Sequence, residues 1–159
     1  MAALPRHLAS IIGIAALLIG TGAHADPAVK AAASRFVADV AWQEQSVLVG
    51  EFSCEGRQQS AILGLGKGEI VVALFTHDLA HAPQVLRFAS DKRKPDAAKI
   101  HLDDATALSL DEVEALAGQV PPGFQSSTTC KGVRLSDDAS DAAHIYWDHQ
   151  AKRFDSWSQ

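Results

Sequence analysis

The sequence predicts an α+β fold in which an antiparallel sheet or small sandwich carries an N-terminal helix and one short middle helix. Three observations lead to this fold class. Apolar residues first recur at helical spacing, segments rich in β-branched residues then alternate with turns, and a helix-capping motif interrupts these segments midway. Two cysteines add one predicted disulfide to the scaffold.

The first 25 residues have the pattern of a cleaved secretory signal. Arg6 precedes an apolar run from Leu8 to Ile19, and an A-x-A end follows at residues 23–25. The run is shorter than the about 20 residues that span a bilayer. We therefore expect a signal peptide at residues 1–25 and a single domain at residues 26–159. The expected location is periplasmic or secreted, in a Gram-negative bacterium, with no membrane anchor after cleavage.

The first element of the remaining chain is a predicted amphipathic helix from Asp26 to near Gln45. Asp26 suits the N-cap position and Pro27 suits the first helical position. The apolar residues that recur at helical spacing are Val29, Ala33, Phe36 and Val40. We expect the face that they form to pack on a sheet.

The rest of the chain is predicted as strands with one short helix. Ser109 and Glu112 form a capping-box pattern that predicts a helix from Ser109 to Ala117. The predicted strands share β-branched and aromatic residues and are bounded by turn residues. Their ranges are Ser46–Phe52, Ser60–Leu65, Glu69–Phe75, Pro83–Phe88, Lys99–Leu102, Lys131–Leu135, Ala142–Trp147 and Arg153–Trp157.

Cys54 and Cys130 are both downstream of the signal pattern. An even count of cysteines in a secreted chain predicts a disulfide, and two cysteines allow one intramolecular pairing. The alternatives are a metal pair or a reactive thiol, and no other Cys or His lies at ligand spacing from either residue.

The formal net charge of the chain is −5, and it becomes −6 without the signal pattern, whose one formally charged side chain is Arg6. Such a balance disfavours nucleic acid as a partner, because binding to phosphates depends on Lys and Arg. The expected partner is a periplasmic or extracellular protein.

The predicted C-terminal hairpin is a candidate binding surface. Tyr146, Trp147 and Trp157 are candidate binding residues, because aromatic side chains are frequent hot spots in interfaces. Alternation along a strand sends Tyr146 and Trp147 to opposite faces, so at least one of them is expected in the core.

An acidic turn precedes this hairpin. Asp137, Asp138 and Asp141 are candidate calcium ligands, because calcium prefers several oxygen ligands of negative charge. The alternative is an exposed turn, since Asp and Ser also stabilise turns through local hydrogen bonds. No cofactor is expected apart from this calcium ion.

Two segments resemble the FG-GAP (VCBS-like) repeat, in which an acidic loop between two strands holds calcium. The first is residues 50–64, where the positions of the calcium ligands hold Glu51, Ser53, Glu55 and Gln59. Cys54 stands where that family usually has Gly. A looser second copy covers residues 136–147, which include the acidic turn. The resemblance implies a hairpin in each segment, and the first metal site is degraded because it offers two carboxylates, a hydroxyl and an amide.

The chain is also similar to a group of uncharacterised secreted proteins from proteobacteria. The shared segments are F-x-C-x-G, C-K-G and H-I-Y-W, here residues 52–56, 130–132 and 144–147. This resemblance implies an extracytoplasmic compartment and a disulfide. In design, the chain resembles periplasmic lysozyme inhibitors and immunity proteins. The expected secretion, the small size, the disulfide-bonded β-rich scaffold and the lack of a catalytic motif favour a non-enzymatic protein that binds another protein, with residues 83–94 or 136–141 as inserting loops. The alternative is a calcium- or small-ligand-binding module.

Motifs for catalysis are weak in this sequence. Serines lack a G-x-S-x-G elbow, and neighbouring acidic pairs do not have the separation that glycosidases need. His77 and His81 have the i, i+4 spacing of zinc ligands on a helix, with His101 or His144 as a third ligand. The alternative is a polar loop, because these residues precede Pro83 and follow a predicted strand.

Overall fold

The computed structural model describes residues 25–90, 94–137 and 141–158. Within this part it shows two α-helices, nine strands in two antiparallel sheets and one disulfide, which confirms the predicted fold class. Neither helix has the length and apolar character that crossing a membrane requires.

The N-terminal helix, α1, covers Pro27–Phe36 and is shorter than predicted. The Asp26 carboxylate accepts hydrogen bonds from the N–H groups of Ala28 and Val29, as an N-cap does. The prediction that this helix continues to near Gln45 is wrong. Val40 and Trp42 pack instead on the outer face of the first sheet, where a short strand begins.

The first sheet has five strands, and its central strand pairs with three others. β3 pairs with β4 on one side and with both β1 and β2 on the other, and β5 is the edge beyond β4. The strand bounds are β1 Ala41–Trp42, β2 Leu48–Gly50, β3 Gln59–Gly66, β4 Glu69–Phe75 and β5 Gln84–Ala89.

The second sheet has four strands in sequence order, from edge strand β6 to edge strand β9. Its strands are β6 Lys99–Asp103, β7 Gly132–Ser136, β8 Ala143–Asp148 and β9 Arg153–Ser158. Helix α2, Leu110–Ala117, lies between β6 and β7 in sequence. Both hydrogen bonds of the predicted capping box form between Ser109 and Glu112, and Gly118 ends the helix in the left-handed conformation.

The two sheets and two helices form four layers. Side chains from the inner faces of both sheets make the largest apolar cluster, which includes Leu63, Val72, Val133 and Ile145. Helix α1 covers the outer face of the first sheet, and helix α2 with Phe124 covers part of the outer face of the second. Both sheets are therefore buried on two faces.

The disulfide joins the two sheets. Cys54 follows β2 and Cys130 precedes β7, and their Cα atoms are 5.1 Å apart. Beside the disulfide, the Lys131 N–H donates to the Glu51 carbonyl at 2.8 Å. The predicted pairing is confirmed, and it holds together segments that are 76 residues apart in the chain.

We expect the double variant Cys54→Ser/Cys130→Ser to have a lower free energy of unfolding than the wild type. A closed loop of 76 residues restricts the unfolded chain, and its loss costs about 4 kcal/mol at most. Urea unfolding monitored by circular dichroism measures the difference. Reduced wild-type protein is the control and should unfold at the same urea concentration as the variant. Equal stability of the variant and the oxidised wild type would contradict the prediction.

Candidate functional site

Two strand edges face each other at one side of the sandwich. β5 is an edge of the first sheet and β9 is an edge of the second. The side-chain amide of Gln84 donates from Nε2 to the Phe154 carbonyl at 2.6 Å. Its Oε1 accepts a hydrogen bond from the Phe154 N–H, also at 2.6 Å. One side chain thus makes the two hydrogen bonds that a neighbouring strand makes in a ladder.

A groove of about 280 Å³ lies between these edges, lined by residues 84–88 of β5 and 153–156 of β9. We call this groove the seam. Leu86 and Phe88 are half-buried and pack against the cluster between the sheets. Phe154 is buried beside them and belongs to that cluster. The seam therefore combines unpaired strand edges with an apolar floor.

Trp147 lies against this floor. Its ring meets the Phe154 ring edge-on, with centroids 4.9 Å apart, and its side chain is half-buried. Because indole fluorescence responds to the surroundings of the ring, Trp147 is a natural reporter of changes at Phe154 and the seam.

The outer edge of β9 presents backbone groups to the seam. Phe154 bonds outward to Gln84, so by the two-residue alternation of an antiparallel strand Ser156 and Ser158 also point outward. The Asp155 carboxylate accepts the Ser156 N–H at 2.8 Å. All three hydrogen bonds on this edge are made with side chains, those of Gln84 and Asp155, which a paired strand can replace.

The charges around the seam differ between its two walls. On β5, Arg87 pairs with Glu69 and lies 3.8 Å from Asp39. On β9, Arg153 is exposed and forms no ion pair with another residue of the described chain. Arg153 therefore offers one cationic group to a molecule bound in the seam.

A second cavity, also of about 280 Å³, lies at the other side of the sandwich. It is lined by Gln43, Gln45, Ser46 and residues 98–101. The Ser46 hydroxyl is already engaged, since it donates to the Gln43 carbonyl and accepts the Leu63 N–H. Of the other lining residues, Ala98 and Ile100 are buried, whereas Gln45, Lys99 and His101 are exposed.

The structure separates the three aromatic residues that were candidate binding residues. Tyr146 and Trp157 are buried under α2 and Phe124, whereas Trp147 faces the opposite side of the second sheet. Tyr146 and Trp147 thus lie on opposite faces, as alternation predicts. An exposed patch of all three does not form, because α2 covers the face that carries Tyr146 and Trp157. Trp147 alone lies near the seam.

The acidic turn is only partly described. The Asp137 carboxylate accepts a hydrogen bond from the Lys94 N–H at 3.2 Å, and Asp141 is exposed. Asp138 lies outside the described residues. Lys94 and Asp137 belong to the two segments predicted as inserting loops, so these segments meet at one end of the sandwich. Within residues 83–94, however, residues 84–89 form strand β5.

The first FG-GAP-like loop is held together by its own side chains. Gln59 Oε1 accepts the N–H groups of Phe52 and Ser53, each at 2.9 Å, and Glu51 accepts the Gly56 N–H at 2.6 Å. Glu55 contacts Arg57. In residues 25–90, 94–137 and 141–158, no three His, Cys, Asp or Glu side chains are grouped as metal ligands.

The histidines that the sequence offered as zinc ligands lie in one turn and on two strands. His77 and His81 lie in the turn after β4, so they do not share a helix face. His101 is exposed on β6, and His144 is buried on β8, where its Nδ1 lies 2.7 Å from Asp103 Oδ2. The three-histidine zinc sites considered above do not form among the described residues.

The chain matches no protein-family profile, no curated protein and no solved structure. Its candidate site therefore rests on geometry. The sequence analysis did not predict a role for Gln84. The one available signal was weak: an amide side chain that follows Pro83 at the start of a predicted strand.

We expect Gln84→Ala to lower the free energy of unfolding by about 1–2 kcal/mol, because two backbone groups of Phe154 lose their partners. Gln84→Glu keeps an acceptor for the Phe154 N–H but loses the donor to its carbonyl, so it should also destabilise. Urea unfolding measures both variants. Gln58→Ala removes an exposed amide outside the seam and should leave stability unchanged. If Gln84→Ala had the same free energy of unfolding as the wild type, the contacts of the Gln84 amide with Phe154 would be energetically neutral.

Tyr146 should titrate at unusually high pH. Burial raises the pKa of its hydroxyl to about 12, with Asp155 and Asp148 adding to the effect, and the hydroxyl donates to the Pro122 carbonyl at 2.8 Å. Because folding raises this pKa, the stabilisation is complete below about pH 10, the value of an unperturbed tyrosine. It is lost as pH rises toward 12.

Tyr146 is the single tyrosine of the sequence, so phenolate absorbance reports on it alone. The folded protein should titrate near pH 12 and the urea-unfolded protein near about pH 10. Tyr146→Phe should abolish the signal. A folded-state midpoint equal to that of the unfolded chain would contradict the burial of this hydroxyl.

Proposed function

We propose that this chain is a secreted, non-enzymatic binding protein that takes an extended segment of a partner protein along the seam. The observation that carries the proposal is the pair of hydrogen bonds between the Gln84 side-chain amide and the Phe154 backbone. At Phe154, the outward N–H and carbonyl of β9 are not paired with a strand and could pair with one from a partner. In the free protein, the Gln84 side chain occupies this position.

Binding would proceed by strand addition. A partner strand would displace the Gln84 amide and pair its own backbone with Phe154 and Ser156, and main-chain hydrogen bonds of this kind supply affinity. Alternate side chains of the added strand would rest on Leu86 and Phe88, which supplies selectivity for apolar residues at every second position. Arg153 would favour an acidic residue on the partner strand at the position that lies beside it.

The scaffold suits this task. The seam lies between two sheets that are buried on both faces and joined by the disulfide. A rigid groove lowers the entropic cost of binding, because little of the protein has to become ordered. The signal-like N-terminus and the disulfide support a periplasmic or secreted location.

We propose a secreted cell-wall hydrolase as the partner class, in line with the resemblance in design to lysozyme inhibitors and immunity proteins. An excess of the purified protein should then inhibit at least one enzyme in a panel of lysozymes and amidases. Absence of inhibition across the panel would reject this partner class. Strand addition along the seam is tested separately, by the capture experiment with proline variants of β9.

Three immobilised proteins, each with its disulfide intact, test the seam against a periplasmic extract. They are the wild type, Ser156→Pro and Ser158→Pro. Proline at residue 156 removes an outward N–H and blocks pairing inside the seam, and an edge position tolerates it. Ser158 is the next outward position of β9 and lies outside the seam lining, so Ser158→Pro is the matched control.

We expect a partner that is captured by the wild type and by Ser158→Pro but lost with Ser156→Pro, and mass spectrometry would identify it. Binding of the isolated partner should change Trp147 fluorescence, because Trp147 contacts Phe154. Equal capture by all three proteins would reject the seam as the binding site. Circular dichroism of the variants verifies that each is folded.

A further inference from the structure

We propose that His77 and His81 form a binding site for one divalent transition-metal ion, with Cu²⁺ bound most tightly, in the turn after β4. The centroids of the two imidazole rings are 5.9 Å apart and the ring planes are tilted by 48°. With metal–nitrogen distances of about 2.0–2.1 Å, two rings on one ion have centroids roughly 5–6 Å apart. The free protein thus already holds the rings near the separation that a shared ion needs.

Each ring has one nitrogen engaged within the protein. His81 Nδ1 lies 2.7 Å from Asp78 Oδ1, and His77 Nδ1 lies 2.9 Å from Thr76 Oγ1. When Nδ1 donates in these contacts, the Nε2 of the neutral ring carries a lone pair. Carboxylate or hydroxyl partners of this kind orient metal-bound histidines and raise their basicity.

The turn is anchored at Asp78 and Leu79. The Asp78 carboxylate accepts the Ala80 N–H at 2.8 Å, and the Leu79 carbonyl accepts a hydrogen bond from Arg35 of α1 at 2.5 Å. Leu79 packs against the cluster beneath α1. These contacts hold the backbone that carries both histidines, so binding an ion orders few additional groups.

The charges around the histidines are mixed, because Glu55 is paired with Arg57 and Arg35 donates to the Leu79 carbonyl in the same turn. Glu55 lies close enough to His77 for their charges to interact, and Asp78 contributes a second carboxylate beside His81. Both histidine side chains are exposed, so an ion can reach them from solvent. No third His, Cys, Asp or Glu of the described chain joins them as a ligand group, and water molecules would complete the coordination.

The ligand set selects the class of metal. Imidazole nitrogens suit copper, nickel and zinc, whereas calcium and magnesium prefer oxygen ligands. Among the divalent ions of the first transition series, affinity for a given site generally peaks at Cu²⁺. We therefore expect Cu²⁺ to bind more tightly than Ni²⁺ or Zn²⁺, with no binding of Ca²⁺ at this site.

Calorimetric titration of the tag-free protein with copper sulfate tests the site. The wild type should bind one ion at this site, and His77→Asn or His81→Asn should each lower the affinity by about tenfold or more, since each removes a ligand. His101→Asn and His149→Asn remove histidines located elsewhere in the fold and serve as matched controls that should bind copper as the wild type does.

Asp78 is a positioning residue in this proposal. Asp78→Asn retains an oxygen that can accept both local hydrogen bonds but loses the charge, so it should lower affinity by about tenfold without changing the stoichiometry. Substoichiometric Cu²⁺ should broaden the nuclear magnetic resonance signals of the His77 and His81 rings first. Unchanged copper affinity in the double variant His77→Asn/His81→Asn, or first broadening at other histidines, would overturn the proposal.

Discussion

The packing of two sheets that are each buried on both faces is the constraint on which the rest of this structure depends. The inner faces share one apolar cluster, and helices α1 and α2 cover the outer faces. Burial of apolar area is the main driving force of such packing. Most of the area of the sheet faces is therefore committed to stability, and strand edges and turns are among the surfaces left for binding. The seam and the His77–His81 turn are features of these two kinds.

Strand edges are hazardous in a β-protein because their free N–H and C=O groups pair with other chains. At the seam, Gln84 reduces this hazard because its side-chain amide forms hydrogen bonds with the outward N–H and carbonyl of Phe154. A covalent or ladder closure would remove the edge permanently, whereas a side-chain amide can leave. In the proposed binding mode, the same contact limits unspecific pairing in the free protein and is exchanged for pairing with the partner strand. The Cys54–Cys130 disulfide joins the two sheets independently of this contact.

Much of the fold was predictable because strand signals here are local. The predicted range Glu69–Phe75 is reproduced as β4, and the capping box at Ser109 marked the start of α2 correctly. The length of α1 was not predictable from periodicity, because Val40 continues the helical spacing yet lies in the bend that precedes β1, where it packs on the sheet. The site was less predictable still. Gln84 acts through a contact 70 residues away in the chain, and the burial of Tyr146 depends on a helix that no feature of the hairpin reveals.

A buried polar pair shows how the second sheet keeps its register. Asp103 on β6 and His144 on β8 meet across β7, with Nδ1 and Oδ2 2.7 Å apart. Gly132 lies between these strands, opposite Asp103, and a Cβ at this position would come within 2.8 Å of the Ile145 carbonyl. His144 Nε2 has no hydrogen-bond partner among the described residues, so the pair is costly to bury. Its ring stacks on Trp157 with centroids 4.1 Å apart. A slip of one residue in β8 would turn His144 toward the apolar cluster between the sheets and leave Asp103 without its imidazole partner, with only the Ala105 N–H still donating to its carboxylate. A wrong register therefore costs the buried Asp103 carboxylate its contact with His144, and buried polar groups act as register markers in this way.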